Sequence, residues 1–235
     1  MQFIISPSKT LTMKDLATIS KTHPIFLDEA KTLYQLLKGY SRDELKILMK
    51  IKGELLDDTY DTYQDYPNLT QGQALASYTG LVFKYLDITT LSPVDMRYLN
   101  DHLLILDAMY GVLRPSDVIM PYRLDFKMPL EKNLYNYWNI DRVLKDNVII
   151  NLASKEYAKL LPRKPEVTIS FKENKNGKYR TIGTYAKMAR GMFLRFCAQK
   201  HISDINALKT FNKDGYHFNK TLSNAQHFVF TRTSK

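Results

Sequence analysis

The chain has 235 residues, 44% of them apolar and 25% charged, the balance of a folded protein with one substantial core, which excludes an extensively disordered chain. Its 34 Lys and Arg against 24 Asp and Glu leave a formal charge of +10, which favours polyanionic partners, although solvated surface lysine explains such a surplus equally well. The lone Cys197 excludes an internal disulfide framework; with no secretory leader and no apolar run near the roughly 20 residues that span a bilayer, a cytoplasmic protein is expected.

In chain order, Gln2 to Ile5 reads as a short buried strand stopped by Ser6-Pro7-Ser8. Leu27, Ala30, Leu33, Tyr34 and Leu37 recur at helical spacing ahead of Gly39, and Ser41 with Glu44 forms a capping box for a second helix. Thr70 is placed to cap a helix running to Tyr78, with Gly80 as its stop. Ser92-Pro93-Val94-Asp95 is a strong helix start, and Leu103 to Ala108 after it favours a strand over the end of the same helix.

The second half changes character. Asn147 to Leu152 reads as a buried strand, and Ser154 opens a short helix bounded by Pro162. Val167 to Phe171 and Tyr179 to Thr184 flank the hairpin signal Asn176-Gly177, in a loop longer than two residues. A long helix covers about 185–201, and strands near Tyr216 to Phe218 and His227 to Phe230 close the chain. Helices early and antiparallel hairpins late predict an α+β (mixed α/β) fold in a single compact domain, residues 1–235, with helices packed around a mixed sheet.

The densest unusual segment is Tyr110-Gly111-Val112-Leu113-Arg114-Pro115, followed by Met120-Pro121-Tyr122-Arg123-Leu124. Gly111 allows a tight turn with exposed amides, and such amides beside Arg114 suit a phosphate oxygen, in the manner of a helix-hairpin-helix. A rigid loop with its arginines paired to acids is the structural alternative. In the long helix, Met188, Ala189, Met192, Phe193 and Phe196 face one side, while Lys187 and Arg190 project from the other beside Gly191. Gly191 in mid-helix implies a close approach, by another element or by a ligand. Ser8 and Lys9 after the first strand, and Asn151, Ser154 and Lys155 after another, are polar groups at strand ends, where open sheets place ligands.

No nucleophile elbow, Walker loop or dinucleotide glycine fingerprint is present, so no cofactor is expected. The histidines His23, His102, His201, His217 and His227 stand singly, so no metal is expected, and Cys197 reads as core rather than redox sensor.

Several of these segments together resemble the YaaA family of peroxide-stress proteins over essentially the whole chain. Ser6-Pro7-Ser8-Lys9-Thr10-Leu11 is similar to the family's Ser-Pro-x-Lys-Thr-Leu, and Tyr110 to Pro115 with Pro121 to Leu124 to its Tyr-Gly-Val-Leu-Arg-Pro and Pro-Tyr-Arg-Leu. Asn151-Leu152-Ala153-Ser154, Asn176-Gly177-Lys178, Tyr185-Ala186-Lys187 with Ala189-Arg190-Gly191, and Phe211-Asn212 with Gly215-Tyr216 continue the series in order. One departure is Leu81, where the family tends to carry an acidic residue after the glycine.

The resemblance implies a compact mixed α/β fold, a positively charged cleft, a helix-hairpin-helix-like element and binding to DNA. It also implies a role in resisting hydrogen peroxide linked to lower free intracellular iron; without metal-ligand spacing, that effect on iron is expected to be indirect. On the same resemblance Lys9, Arg114, Arg123, Lys155, Lys187 and Arg190 are the expected nucleic-acid contacts, with Ser8, Tyr110, Gly111, Tyr122 and Asn151 as possible cleft lining. Two functions follow. The first is a DNA-binding protein of the peroxide response, monomeric and selective for DNA structure rather than sequence, with Tyr110, Tyr122 or Trp138 free to stack on a base. The alternative is an enzyme acting on a nucleobase or nucleoside, for which Asp125 and Glu156 are the nearest general acid or base candidates.

Overall fold

The computed structural model describes residues 1–144 and 148–233. In its first half the strands are β1 (Gln2–Ile5), β2 (Gly72–Gln73), β3 (Leu103–Asp107), β4 (Gly111–Leu113) and β5 (Val118–Ile119). The helices there are α1 (Leu27–Lys38), α2 (Arg42–Met49), α3 (Glu54–Asp65), α4 (Ala74–Ser77), α5 (Leu81–Leu86) and α6 (Pro93–His102). In the second half, short helices α7 (Leu134–Tyr137) and α8 (Asp141–Leu144) precede β6 (Ile149–Asn151) and α9 (Lys155–Ala158). Next come β7 (Val167–Lys175), β8 (Lys178–Arg180), α10 (Gly183–Gln199), β9 (His217–Phe218) and β10 (His227–Thr233).

Eight strands form one mixed sheet in the order β4-β3-β1-β6-β7-β10-β9, with β8 added to β7. The centre, β3-β1-β6-β7-β10, is parallel, with registers such as Phe3↔Leu103, Phe3↔Ile150 and Ile150↔Val167; β4, β8 and β9 pair antiparallel. Central parallel strands are covered on both faces, which is why β1, β3 and β6 are almost continuously apolar. In β7 buried and half-buried residues alternate, because one face packs on α10 while the other is only partly covered. Phe171, Phe193, Phe211 and Phe230 meet there edge to face or stacked at centroid distances of 5.1 to 6.0 Å.

The mixed α/β class and the single compact body are as the sequence predicts. Both capping boxes form, Ser41 with Glu44 and Ser92 with Asp95, and α6 hands over directly to β3 at Leu103. Two local expectations change. The helix expected from Thr70 is reduced to α4, because Gly72 and Gln73 pair instead with Ile119 and Val118. The buried Gln73 amide holds that strand by accepting from Leu16 N at 2.7 Å and donating to the Ile19 carbonyl at 3.1 Å. The Asn176-Gly177 hairpin is tighter than expected: both residues have positive φ, and Lys175 faces Lys178 across a two-residue turn. Asn147, the expected start of the β6 strand, lies outside the described residues.

Candidate functional site

Because β1, β3 and β6 run parallel, their carboxyl ends, Ile5, Asp107 and Asn151, lie on one edge of the sheet, and the loops that follow meet there. Ser154 N donates to Ser6 Oγ at 2.9 Å and ties the first loop to the third. Ser8 Oγ lies 3.1 Å from Thr10 Oγ1, and Thr79 Oγ1 donates to Thr10 Oγ1 at 2.8 Å. Gly80 lets this loop close, since a Cβ there would lie 2.5 Å from Ser8 Oγ. The result is a cavity of about 400 Å³. Ser6, Ser8 and Thr10 bring hydroxyls to it, Leu81, Val82 and Phe83 of α5 form an apolar wall, and Ser154, Glu156 and Tyr157 bound the α9 side. Lys187 and Arg190, neighbours at i, i+3 on α10, complete it.

The charges are distributed unevenly. Lys9, whose side chain is 67% exposed, pairs with Asp125 at 2.5 Å, and Tyr157 donates to the other oxygen of that carboxylate at 3.3 Å. Glu156 is taken by Lys127 at 2.9 Å. Lys187 and Arg190 have no ion pair among the described residues, and the buried Nε of Arg190 has no acceptor. Burial draws the Arg190 guanidinium below its ordinary pKa, yet an arginine stays charged. A recess beside the cavity, from Pro7 to Lys9, brings in Tyr122 and Arg123, and the Arg123 Nε is also buried without an acceptor among the described residues. Arg190 is therefore half-buried at the cavity rather than projecting from a solvated face. The helix is covered on several sides because α5, α6 and β7 all pack on it.

Other expected residues have different places. The Arg114 guanidinium donates to Asp117 Oδ1 from Nη2 at 2.8 Å and from Nε at 3.1 Å, and Nη2 reaches the His23 carbonyl at 2.8 Å. Asp117 is fully buried and also accepts from Thr22 Oγ1 at 2.6 Å and Arg114 N at 2.8 Å. Arg114 is thus the structural alternative, an arginine committed to an acid. Tyr110 is core, its hydroxyl 3.2 Å from that of Tyr34. Gly111 has φ +69° but is buried beneath Trp138, whose ring a Cβ would meet at 2.8 Å. Trp138 is itself buried, with Nε1 donating to the Ala108 carbonyl at 3.2 Å. These rings are closed to a base, and the hairpin β3–β4 stands where a helix-hairpin-helix was expected, because the apolar run flanking Gly111 is claimed by the sheet edge. Asn151 is buried and accepts from Ala153 N at 2.9 Å, and Lys155 is exposed but does not line the cavity.

Two features escaped sequence reasoning. Asp107, closing β3, is completely buried and accepts from the hydroxyls of Tyr78 at 2.8 Å and of Tyr122, and from Met109 N and Tyr110 N at 2.8 and 3.0 Å. Burial raises its carboxyl above the ordinary value against the pull of those four donors. An acid ending an apolar run was the available signal. The second is the helix–loop–helix of α2 and α3, joined by residues 50–53, where Lys50 (φ 54°) and Gly53 (φ 60°) are left-handed and Lys46, Lys50 and Lys52 are exposed. Lys52-Gly53 between two helical patterns would have marked it.

Among the described residues no three His, Cys, Asp or Glu side chains are grouped to hold a metal ion, and no helix is long and apolar enough to cross a membrane. Cys197 is buried, which raises its thiol well above the ordinary value.

The profile of the family described as peroxide stress protein YaaA matches residues 1–222. UPF0246 proteins are similar over their full lengths: 37% identity over 245 residues to that of Fusobacterium nucleatum, covering 99% of each chain. The Clostridium beijerinckii protein is 39% identical over 254 residues, covering 99% of this chain and 98% of its own, and the Neisseria meningitidis serogroup B protein 37% over 257 residues, covering 100% and 99%.

Proposed function

Since this chain belongs to the YaaA family of peroxide stress proteins, we propose that it is a DNA-binding protein of the hydrogen peroxide response, gripping backbone phosphates at the strand-end cavity. The observation that carries this reading is the pair of cations Lys187 and Arg190, without an acid partner among the described residues where Glu156 and Asp125 are already taken by lysines. An arginine that lines the cavity with no ion pair among the described residues suits a phosphate oxygen. Lys9 and Arg123 flank the cavity and extend the basic face. The α2–α3 hairpin supports the same reading as a second, separate contact, since its loop and three exposed lysines have the form of a helix-hairpin-helix.

Contacts of this kind hold the backbone and not base edges, so selectivity for DNA structure over sequence follows. The protein acts in the cytoplasm as a monomer, limiting damage to DNA, and lowers free iron only indirectly. The test is binding of labelled duplex, bubbled and single-stranded DNA across a salt series, comparing wild type, Lys187→Gln with Arg190→Gln, and Lys50→Gln with Lys52→Gln. In duplex, each phosphate that a variant no longer neutralises flattens the slope of log K against log salt by about 0.9. No binding at low salt, or slopes unchanged in both folded variants, overturns the reading.

A further inference from the structure

The cavity is smaller than a duplex-binding groove. At about 400 Å³ it is in the range of sites that enclose one small molecule, which runs from roughly 300 to 1,000 Å³. Its walls are also chemically divided. Leu81, Val82 and Phe83 with Tyr157 present apolar and aromatic surface; Ser6, Ser8 and Ser154 present hydroxyls able to donate or accept; Lys187 and Arg190 present positive charge. An apolar wall for a ring, hydroxyls for its polar edge and a cation pair for an anion match the parts of one nucleotide.

Among the described residues these two cations also lack the partners that paired cations have elsewhere. Arg114, Arg195 and Arg232 each reach a carboxylate, at distances such as 2.8 Å from Arg114 Nη2 to Asp117 Oδ1 and 2.9 Å from Arg232 Nε to Glu173 Oε2. Arg190 reaches no carboxylate among the described residues, and its Nε is buried without an acceptor there. A guanidinium that lines a cavity with no carboxylate paired to it among the described residues is left to bind an anion that enters there.

We propose that this cavity binds one 5′-phosphorylated nucleotide, free or at the end of a strand, with its phosphate on Lys187 and Arg190 and its base against the Leu81–Phe83 wall. The inference rests on the nucleic-acid reading for the choice of a nucleotide among phosphorylated ring compounds. It goes beyond that reading in assigning the cavity a whole nucleotide unit, base and phosphate together.

The experiment titrates the full chain with dAMP, dTMP, thymidine and inorganic phosphate by calorimetry, and compares a duplex carrying 5′-phosphates with the same duplex carrying 5′-hydroxyls. Nucleotide binding at least about tenfold tighter than thymidine or phosphate alone is expected, with a loss of similar size in Arg190→Gln. A tenfold step corresponds to about 1.4 kcal/mol, within reach of one charge-assisted hydrogen bond. Lys187→Gln, at an exposed position, gives a second variant should Arg190→Gln unfold. Equal binding of phosphate and nucleotide, equal binding of thymidine and dTMP, or nucleotide affinity unchanged in the folded variants overturns the inference. Duplex binding that persists without nucleotide binding overturns the pocket assignment alone; dAMP binding without any duplex binding overturns the DNA reading alone. A preference for the 5′-phosphorylated duplex identifies the strand end as a source, and its absence with dAMP binding retained identifies the free nucleotide.

Discussion

Gly191 of α10 lies so close to Val82 of α5 that a Cβ on Gly191 would sit 2.2 Å from the Val82 carbonyl oxygen and 2.8 Å from Leu86 N. The glycine in mid-helix is therefore explained by a neighbouring backbone, and that neighbour is the apolar wall of the cavity. In an open helix, glycine to alanine would stabilise by about 1 kcal/mol; here Gly191→Ala is expected to destabilise by about 1–3 kcal/mol, because the backbone of α5 must move. The denaturation midpoint reads the sign, and a stabilised variant would mean that α5 yields freely.

Arg114 separates structural from binding arginines. Removing its guanidinium leaves Asp117 buried with, among the described residues, Thr22 Oγ1 and the backbone amide of residue 114 as its donors. Arg114→Ala is expected to cost about 3 kcal/mol, the low end for a broken buried ion pair because the arginine itself is partly exposed. Its DNA salt slope, measured where the variant is still folded, stays that of wild type; a flattened slope would return Arg114 to the interface.

Asp107 carries a pH dependence with a definite sign. Burial holds its native carboxyl above the ordinary value, so the folded chain binds that proton more tightly than the unfolded one. The stability this contributes is fully present below the ordinary carboxyl value of about 3.9 and is lost as pH rises through the raised native value. Asp107→Asn does not titrate. The stability of wild type minus that of the variant should therefore fall as pH is raised through the carboxylate range, read by chemical denaturation at each pH, and a difference that rises instead would mean that the four hydrogen bonds outweigh burial.

Cys197 bears on how peroxide could act. A buried thiol raised well above its ordinary pKa holds almost no thiolate, the form that reacts. Native protein treated with hydrogen peroxide or a maleimide should keep the mass of a free thiol at Cys197, with labelling appearing only on unfolding in denaturant. Rapid modification of the native chain would make this residue a sensor.

Lys9 and Asp125 join the first loop to the segment beyond Tyr122, across 116 residues of sequence, in a pair that is largely exposed on the lysine side. Exposed pairs contribute about 0.2–1 kcal/mol, so Lys9→Gln should leave the melting temperature nearly unchanged while flattening the DNA salt slope by about the 0.9 due to one phosphate. A large loss of stability with no change in slope would make Lys9 a structural tie.

Much of the architecture was legible because its causes are local. Ser41 with Glu44 and Ser92 with Asp95 cap their helices through hydrogen bonds spanning three residues, and Asn176-Gly177 turns the chain through its own positive φ angles. The apolar runs of β1, β3 and β6 announce strands covered on both faces. The helix expected from Thr70 failed for a non-local reason: Gln73 is satisfied by Leu16 and Ile19, more than fifty residues earlier, and strand pairing with β5 outweighs a helical propensity of a few tenths of a kcal/mol per residue.

Residue order and composition were enough to read the class of fold, the places of the caps and turns, the family resemblance and the set of cations from which any polyanion site must be drawn. Only the tertiary structure decided among those cations. Arg114 is committed because the buried Asp117 and the His23 carbonyl meet it, whereas the buried Nε of Arg190 has no acceptor among the described residues because α5 and the first loop close over α10 without supplying one. Whether a charge is neutralised depends on what lies within about 4 Å of it, and at that range the neighbours come from elements far apart in the chain.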